Sequence, residues 1–210
     1  MSLFLAPIHT WLFNKILLLE KIEKEIAGRF QDPDIAATRE GLHRTLGGYI
    51  PDQPLETMID TGNIHGWLQS KITLAETRQA ALVKQILGKH REAEKEISAI
   101  YKEAGRKSGQ ERGSLEDATE IFQALSDYLL EGMPCDRVNA VVFKSEEEIE
   151  WKTANCVHRQ NWEGSGVDVA FYYGFRAAFI DGFVEGASRN FSYTYSNEGA
   201  QVHRIQKKAA

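Results

Sequence analysis

Four side chains in the second half of this sequence could bind a metal ion or act as nucleophile and base: Cys135, Cys156, His158 and His203. Two thiols and two imidazoles form a ligand set that zinc or iron accepts. The spacing is loose. Cys156 and His158 make only a C-x-H, and there is no C-x-x-C. The same residues support three readings. They are two buried, reduced cysteines and two surface histidines with no chemistry, or a zinc or iron site on all four, or a catalytic thiol at Cys156 activated by a nearby histidine.

A second set is duplicated. Residues 8–20 and 64–76 both read I-H-x-W-L-x-x-K-I-x-L-x-E, identical at 8 of 13 positions. Two rare residue types recur in register, so His9, Trp11, His65 and Trp67 are candidate ligand contacts. The other reading is a repeated helix seam. Apolar residues at spacings of three and four make both segments helical. Pro7 suits the first position of one helix and Asn63 caps the other. Each histidine then lies in a first turn, where the helix dipole favours neutral imidazole. Trp11 and Lys15 share a face, as do Trp67 and Lys71, so ammonium can lie on indole. Histidine and glutamate of one copy are roughly 16 Å apart along the axis. Antiparallel packing of the two helices would bring His9 to Glu76 and His65 to Glu20.

These groups must be positioned by the surrounding elements. A short helix is expected over 35–46, stopped by Gly47-Gly48, then a connector at Pro51 and Pro54. The second copy is expected to run on to about residue 104, kinked at Gly88. Residues 105–113 read as an exposed linker. Ser114 caps a helix ending near Leu130. Beyond it the period changes to two, with strands over 138–143 and 148–153. Folding that ribbon back places Cys135 near Cys156. An aromatic helix over 168–188 and strands over 190–195 and 201–206 follow. The expected fold is α+β: a helical N-terminal half, residues 1–113, packed on a small antiparallel ββαββ domain, residues 114–210. Phe171, Phe175, Phe179 and Phe183 form a stripe that is either core or the wall of a pocket.

From Cys156 to the end, the sequence resembles the small-ligand domain of the 4-vinyl reductase type and the L-2-amino-thiazoline-4-carboxylate hydrolase family. The resemblance rests on Cys156, Gly182-Phe183-Val184-Glu185-Gly186, Asn197-Glu198-Gly199 and Val202-His203-Arg204-Ile205. The family usually carries a cysteine on the last strand, where this chain has His203. The resemblance implies a pocket between helices and sheet for a small, largely apolar ligand, with Phe175 and Phe179 among its contacts. It does not extend to the duplicated motif.

Composition narrows the function class. Apolar residues are 42%, charged residues 26%, and the net charge is −5, so nucleic acid is not an expected partner. No apolar run is long enough to span a bilayer. Met1–Pro7 carries no basic region or cleavage motif, so a cytoplasmic location with reduced cysteines is expected. No phosphate loop, dinucleotide fingerprint or nucleophile elbow is present. Three functions fit: a sensor-like small-molecule binder linked to zinc or iron, a hydrolase of a small cyclic or amide substrate using Cys156 or a metal-bound water, or a helical homodimer scaffold.

Overall fold

The computed structural model describes residues 5–209. The protein is α+β, with seven helices and one four-stranded antiparallel sheet among these residues. It divides into two compact units. One holds the chain up to Ala93 together with His158–Val169; the other holds Glu94–Val157 and the chain from Ala170.

The first unit is built from α1 (Pro7–Arg29), α2 (Pro33–Leu46), α3 (Ile64–Lys89) and α6 (Arg159–Gly164). Pro7 opens α1 as expected, and Asn63 caps α3 by accepting from Gly66 N at 3.1 Å. That cap explains one difference between the copies. A Cβ on Gly66 would overlap the folded Asn63 side chain, whereas the cap of the first copy is Ala6, and threonine is accommodated at the equivalent position 10. Leu12, Ile16 and Leu19 on α1 and Leu68, Ile72 and Ala75 on α3 are buried at helical spacing.

The two copies do not pack antiparallel. His9 lies beside His65, with ring centroids 5.5 Å apart, and Phe13 lies beside Trp67 at 6.1 Å. Further along, Arg78 of α3 meets Glu20 and Glu23 of α1. Like faces like, so α1 and α3 run parallel. The antiparallel arrangement fails because both copies carry the same buried stripe with the same sense, and in-register pairing matches the stripes along their length.

The expected helix over 64–104 is two helices. α3 ends at Lys89, and α4 (Ala93–Gln110) begins after a turn, whereas Gly88 lies inside α3. Residues 105–110 are not a linker. Gly105 and Gly109 of α4 lie against the backbone of α7 (Val169–Ala187), and Gly182 and Gly186 of α7 lie against the backbone of α4. α4 therefore belongs to the unit that holds the sheet.

In the second unit, α5 (Ala118–Leu125) is capped by Asp117, not Ser114, and ends before Leu130. The strands are β1 (Asn139–Lys144), β2 (Glu148–Thr153), β3 (Phe191–Ser196) and β4 (Val202–Lys207), in the order β1-β2-β4-β3. The pairing places Trp151 opposite His203, and His203 opposite Tyr195. Phe175, Phe179 and Phe183 are buried, and Tyr101 of α4 stacks on Phe175 at 5.6 Å. No helix among the described residues is long and apolar enough to cross a membrane.

Candidate functional site

The polar groups of the helical unit are tied to one another. Arg78 is buried and donates from Nη2 to Glu20 at 2.7 Å and from Nε to both oxygens of Glu23 at 2.9 and 3.0 Å. Its Nη1 reaches the carbonyls of Gly47 and Gly48 at 3.3 Å, and Glu20 Oε2 accepts from Ile50 N at 2.9 Å. Burial raises the carboxyl of Glu23 above its ordinary value, although Arg78 opposes the shift. The equivalent glutamate of the second copy, Glu76, bonds His158 Nδ1 at 2.9 Å and Asn161 Nδ2 at 2.8 Å. Both duplicated glutamates thus fasten a later segment onto the helix pair: the 47–50 connector at Glu20 and α6 at Glu76.

His9 Nδ1 accepts from Ala6 N at 3.1 Å, so the neutral ring carries its proton on Nε2. An Nε2 bearing a proton is not a metal donor. The expected cation–π contacts are present, with Lys15 Nζ 3.2 Å from the Trp11 centroid and Lys71 Nζ 5.2 Å from that of Trp67. His65 is exposed and His9 half-buried, so the four duplicated residues lie at the open end of one helix pair.

The tetrad of Cys135, Cys156, His158 and His203 is not assembled. Among the described residues, no group of three or more His, Cys, Asp or Glu side chains could hold a metal ion. The ribbon does join the segments beside the cysteines, since Asn155 Nδ2 donates to Asp136 O at 3.4 Å. Both thiols are nevertheless free and exposed. His158 is instead fully buried against Glu76, and His203 is buried in the sheet. Cys156 lies against the hydroxyl of Tyr173, whose ionisation is pushed up by burial and then by Cys156 itself. A phenol held neutral is a hydrogen-bond donor and not a base for a thiol.

His203 is the predicted residue around which other chemistry gathers. Its ring stacks on Trp151 at 5.0 Å and on Tyr195 at 4.9 Å. Nδ1 meets the Tyr193 hydroxyl at 2.7 Å, while Nε2 lies 3.3 Å from Thr153 Oγ1 and 3.5 Å from Arg176 Nη1. A guanidinium only donates, so Nε2 is the acceptor and Nδ1 carries the proton toward Tyr193. Burial and then the Arg176 charge lower the imidazole to about 3, so it is neutral near pH 7. Arg176 is itself buried and paired with Glu131.

Around this histidine, buried polar atoms lack partners. They are the Trp151 indole N–H, the Tyr195 hydroxyl, Arg176 Nε, Asn139 Oδ1 and Gln201 Oε1. Asn139 pairs with Thr153 across the sheet, and Thr153 N donates to Gln201 O, so these groups share one end of one face. Leaving each unmade costs about 1–3 kcal/mol. Sequence reasoning missed Arg176, Glu131, Tyr193 and Tyr195. The available signal was a lone arginine inside an aromatic helix, together with tyrosines alternating on a strand beside the one carrying His203.

No protein-family model, curated protein or solved structure matches the chain.

Proposed function

We propose that the chain binds a small molecule at the polar end of the sheet, beside the aromatic stack of Trp151, His203 and Tyr195. The carrying observation is the set of unpartnered buried atoms there, because a built hydrogen-bonding site is the economical reason to leave so many polar groups unmade. Their chemistry describes the ligand. Trp151 and Arg176 offer N–H donors, Asn139 and Gln201 offer carbonyl acceptors, and Tyr195 offers either. A flat amide or cyclic amide presents both halves of that pattern and stacks on a ring. The resemblance of the chain from Cys156 onward to small-ligand domains supports the same reading. With His9 capping a helix and the cysteine–histidine set dispersed, the reading does not require zinc or iron.

A hydrolase of the bound amide is the second reading. It is favoured by the exposed Cys156 thiol, three residues beyond Thr153 at this same end of the sheet.

The test is calorimetric titration of the full chain with benzamide, 2-pyrrolidone and, for contrast, benzoate. Saturable binding of an amide, weakened about tenfold by Tyr195→Phe, supports the site. No saturable binding of any of the three at millimolar concentration overturns it. Product formation that stops in Cys156→Ser while binding persists assigns the hydrolase reading.

A further inference from the structure

The β1–β2 ribbon stays paired beyond the ends of its strands. Val138 O accepts from Ala154 N at 2.7 Å and from Asn155 N at 3.3 Å. Asp136 O accepts from Asn155 Nδ2 at 3.4 Å. Gly132 then lies against Val157, since a carbon added to it would be 3.3 Å from Cγ2. The two segments therefore run side by side, in antiparallel order, as far as Gly132 and Val157. Between the last two of these ties, one segment has only Cys156. The other has Met133, Pro134 and Cys135, folded into a tight turn. Met133 N donates to Asp136 Oδ2 at 2.7 Å and Asp136 N to Met133 O at 2.9 Å, which fixes that turn on the ribbon.

These are the two cysteines of the chain. Both thiols are free and exposed, so a dissolved oxidant reaches either of them. Facing positions of an antiparallel ribbon fall within the Cα spacing that a disulfide spans.

We propose that Cys135 and Cys156 form an oxidisable dithiol: a hydroperoxide converts Cys156 to a sulfenic acid, and Cys135 closes it to a disulfide. The inference is independent of the small-molecule reading, because it needs no ligand at the end of the sheet.

The chemistry takes two steps. Cys156 Sγ, its proton given to solvent, attacks one peroxide oxygen. An S–O bond forms, the O–O bond breaks, and the departing oxygen takes up a proton and leaves as water or an alcohol. Cys135 Sγ, likewise deprotonated, then attacks Cys156 Sγ. The S–S bond forms, the S–O bond breaks, and the oxygen leaves with a proton as water. Two electrons pass from the thiols to the peroxide, and an external dithiol returns them.

Cys156 reacts first because the Tyr173 hydroxyl lies against it and is held un-ionised by burial. A neutral phenol can donate a hydrogen bond to the oxygen that leaves. Cys135 reacts second because its turn is tied at both ends to the segment carrying Cys156, which replaces a collision with a short local closure.

Hydrogen peroxide added to the reduced full chain tests this, read by intact mass and thiol titration. Both thiols should disappear together with a loss of about 2 Da, within one chain, and dithiothreitol should restore them. In denaturing urea the crosslink should form at least about tenfold more slowly, because the paired ribbon is gone. Cys135→Ser should stop at a sulfenic acid, a gain of about 16 Da that a cyclic dione traps at Cys156. The natural chain alone decides whether the dithiol exists, so a variant that fails to fold does not rescue the inference. Thiols that gain oxygen singly, that link two chains, or that join no faster in the folded chain than in urea overturn it. So does a sulfenic acid that forms faster in Cys156→Ser than in Cys135→Ser.

Discussion

His203 lies stacked on Trp151, the ring centroids 5.0 Å apart and the planes 10° from parallel, with Arg176 Nη1 3.5 Å from its Nε2. A histidine so placed cannot take a proton cheaply. Protonation would bury a second cation beside Arg176 and turn Nε2 from acceptor into donor, so that it could no longer accept from Thr153 or Arg176, while Nδ1 goes on donating to Tyr193.

The pH dependence of folding should carry this signature. The folded chain protonates His203 near 3, and the unfolded chain near the ordinary 6.5. Between those values the unfolded state binds more protons, so stability rises with pH through the window. The stabilisation is complete above about 6.5 and is lost as pH falls toward 3. Urea midpoints should therefore decline on acidification more steeply in the natural chain than in His203→Phe. Parallel declines would show that the imidazole is not held neutral.

Arg176 and Glu131 should behave as one unit. Arg176→Met takes away the buried guanidinium with which Glu131 is paired, at a cost of about 3 kcal/mol, since Glu131 keeps some exposure. Adding Glu131→Gln should recover part of that loss. Chemical denaturation of both single variants and the double variant measures the coupling. Strict additivity would mean the pair is not coupled in the fold.

Arg78 predicts a larger loss with the opposite pH trend. Arg78→Met leaves Glu20 and Glu23 facing each other with side chains at most 4% exposed, worth about 3–5 kcal/mol at neutral pH. Without the cation that opposes its upward shift, the Glu23 carboxyl becomes harder to ionise, and the deficit against the natural chain should shrink as pH is lowered. A deficit constant from pH 7 to pH 5 would point to lost packing rather than stranded charge.

Local pattern was legible in the sequence where each residue reports on its own neighbours. The strands, the aromatic helix, the cap at Asn63 and the Lys–Trp contacts all follow from spacing, and the structure has them within a residue or two. Partner choice was not legible. Glu76 was expected to meet His9 and meets His158, because helical periodicity defines a buried stripe without saying which way the facing stripe runs. Arg176 was hidden for a related reason. It lies in the apolar face of a helix, and only the folded sheet shows that His203, Tyr193 and Glu131 come to meet it. Gly105 and Gly109 read as linker because a glycine needed for flexibility and one needed for close approach look alike in a sequence.

That last distinction can be tested within two helices. A Cβ on Gly105 would overlap the carbonyl oxygen of Phe179, and one on Gly182 that of Lys102. Both obstacles are backbone atoms, which cannot swing aside as a side chain would. Gly105→Ala and Gly182→Ala must therefore push α4 and α7 apart, and each should cost at least about 3 kcal/mol. Gly174 lies in α7 with nothing within 4 Å of the added carbon. There alanine only restricts the unfolded chain and improves helix propensity, so Gly174→Ala should raise stability by up to about 1 kcal/mol. Thermal melts of the three variants would separate the cases. A Gly105→Ala variant as stable as Gly174→Ala would mean that α4 and α7 do not meet backbone to backbone, and that residues 105–110 are the linker their composition describes.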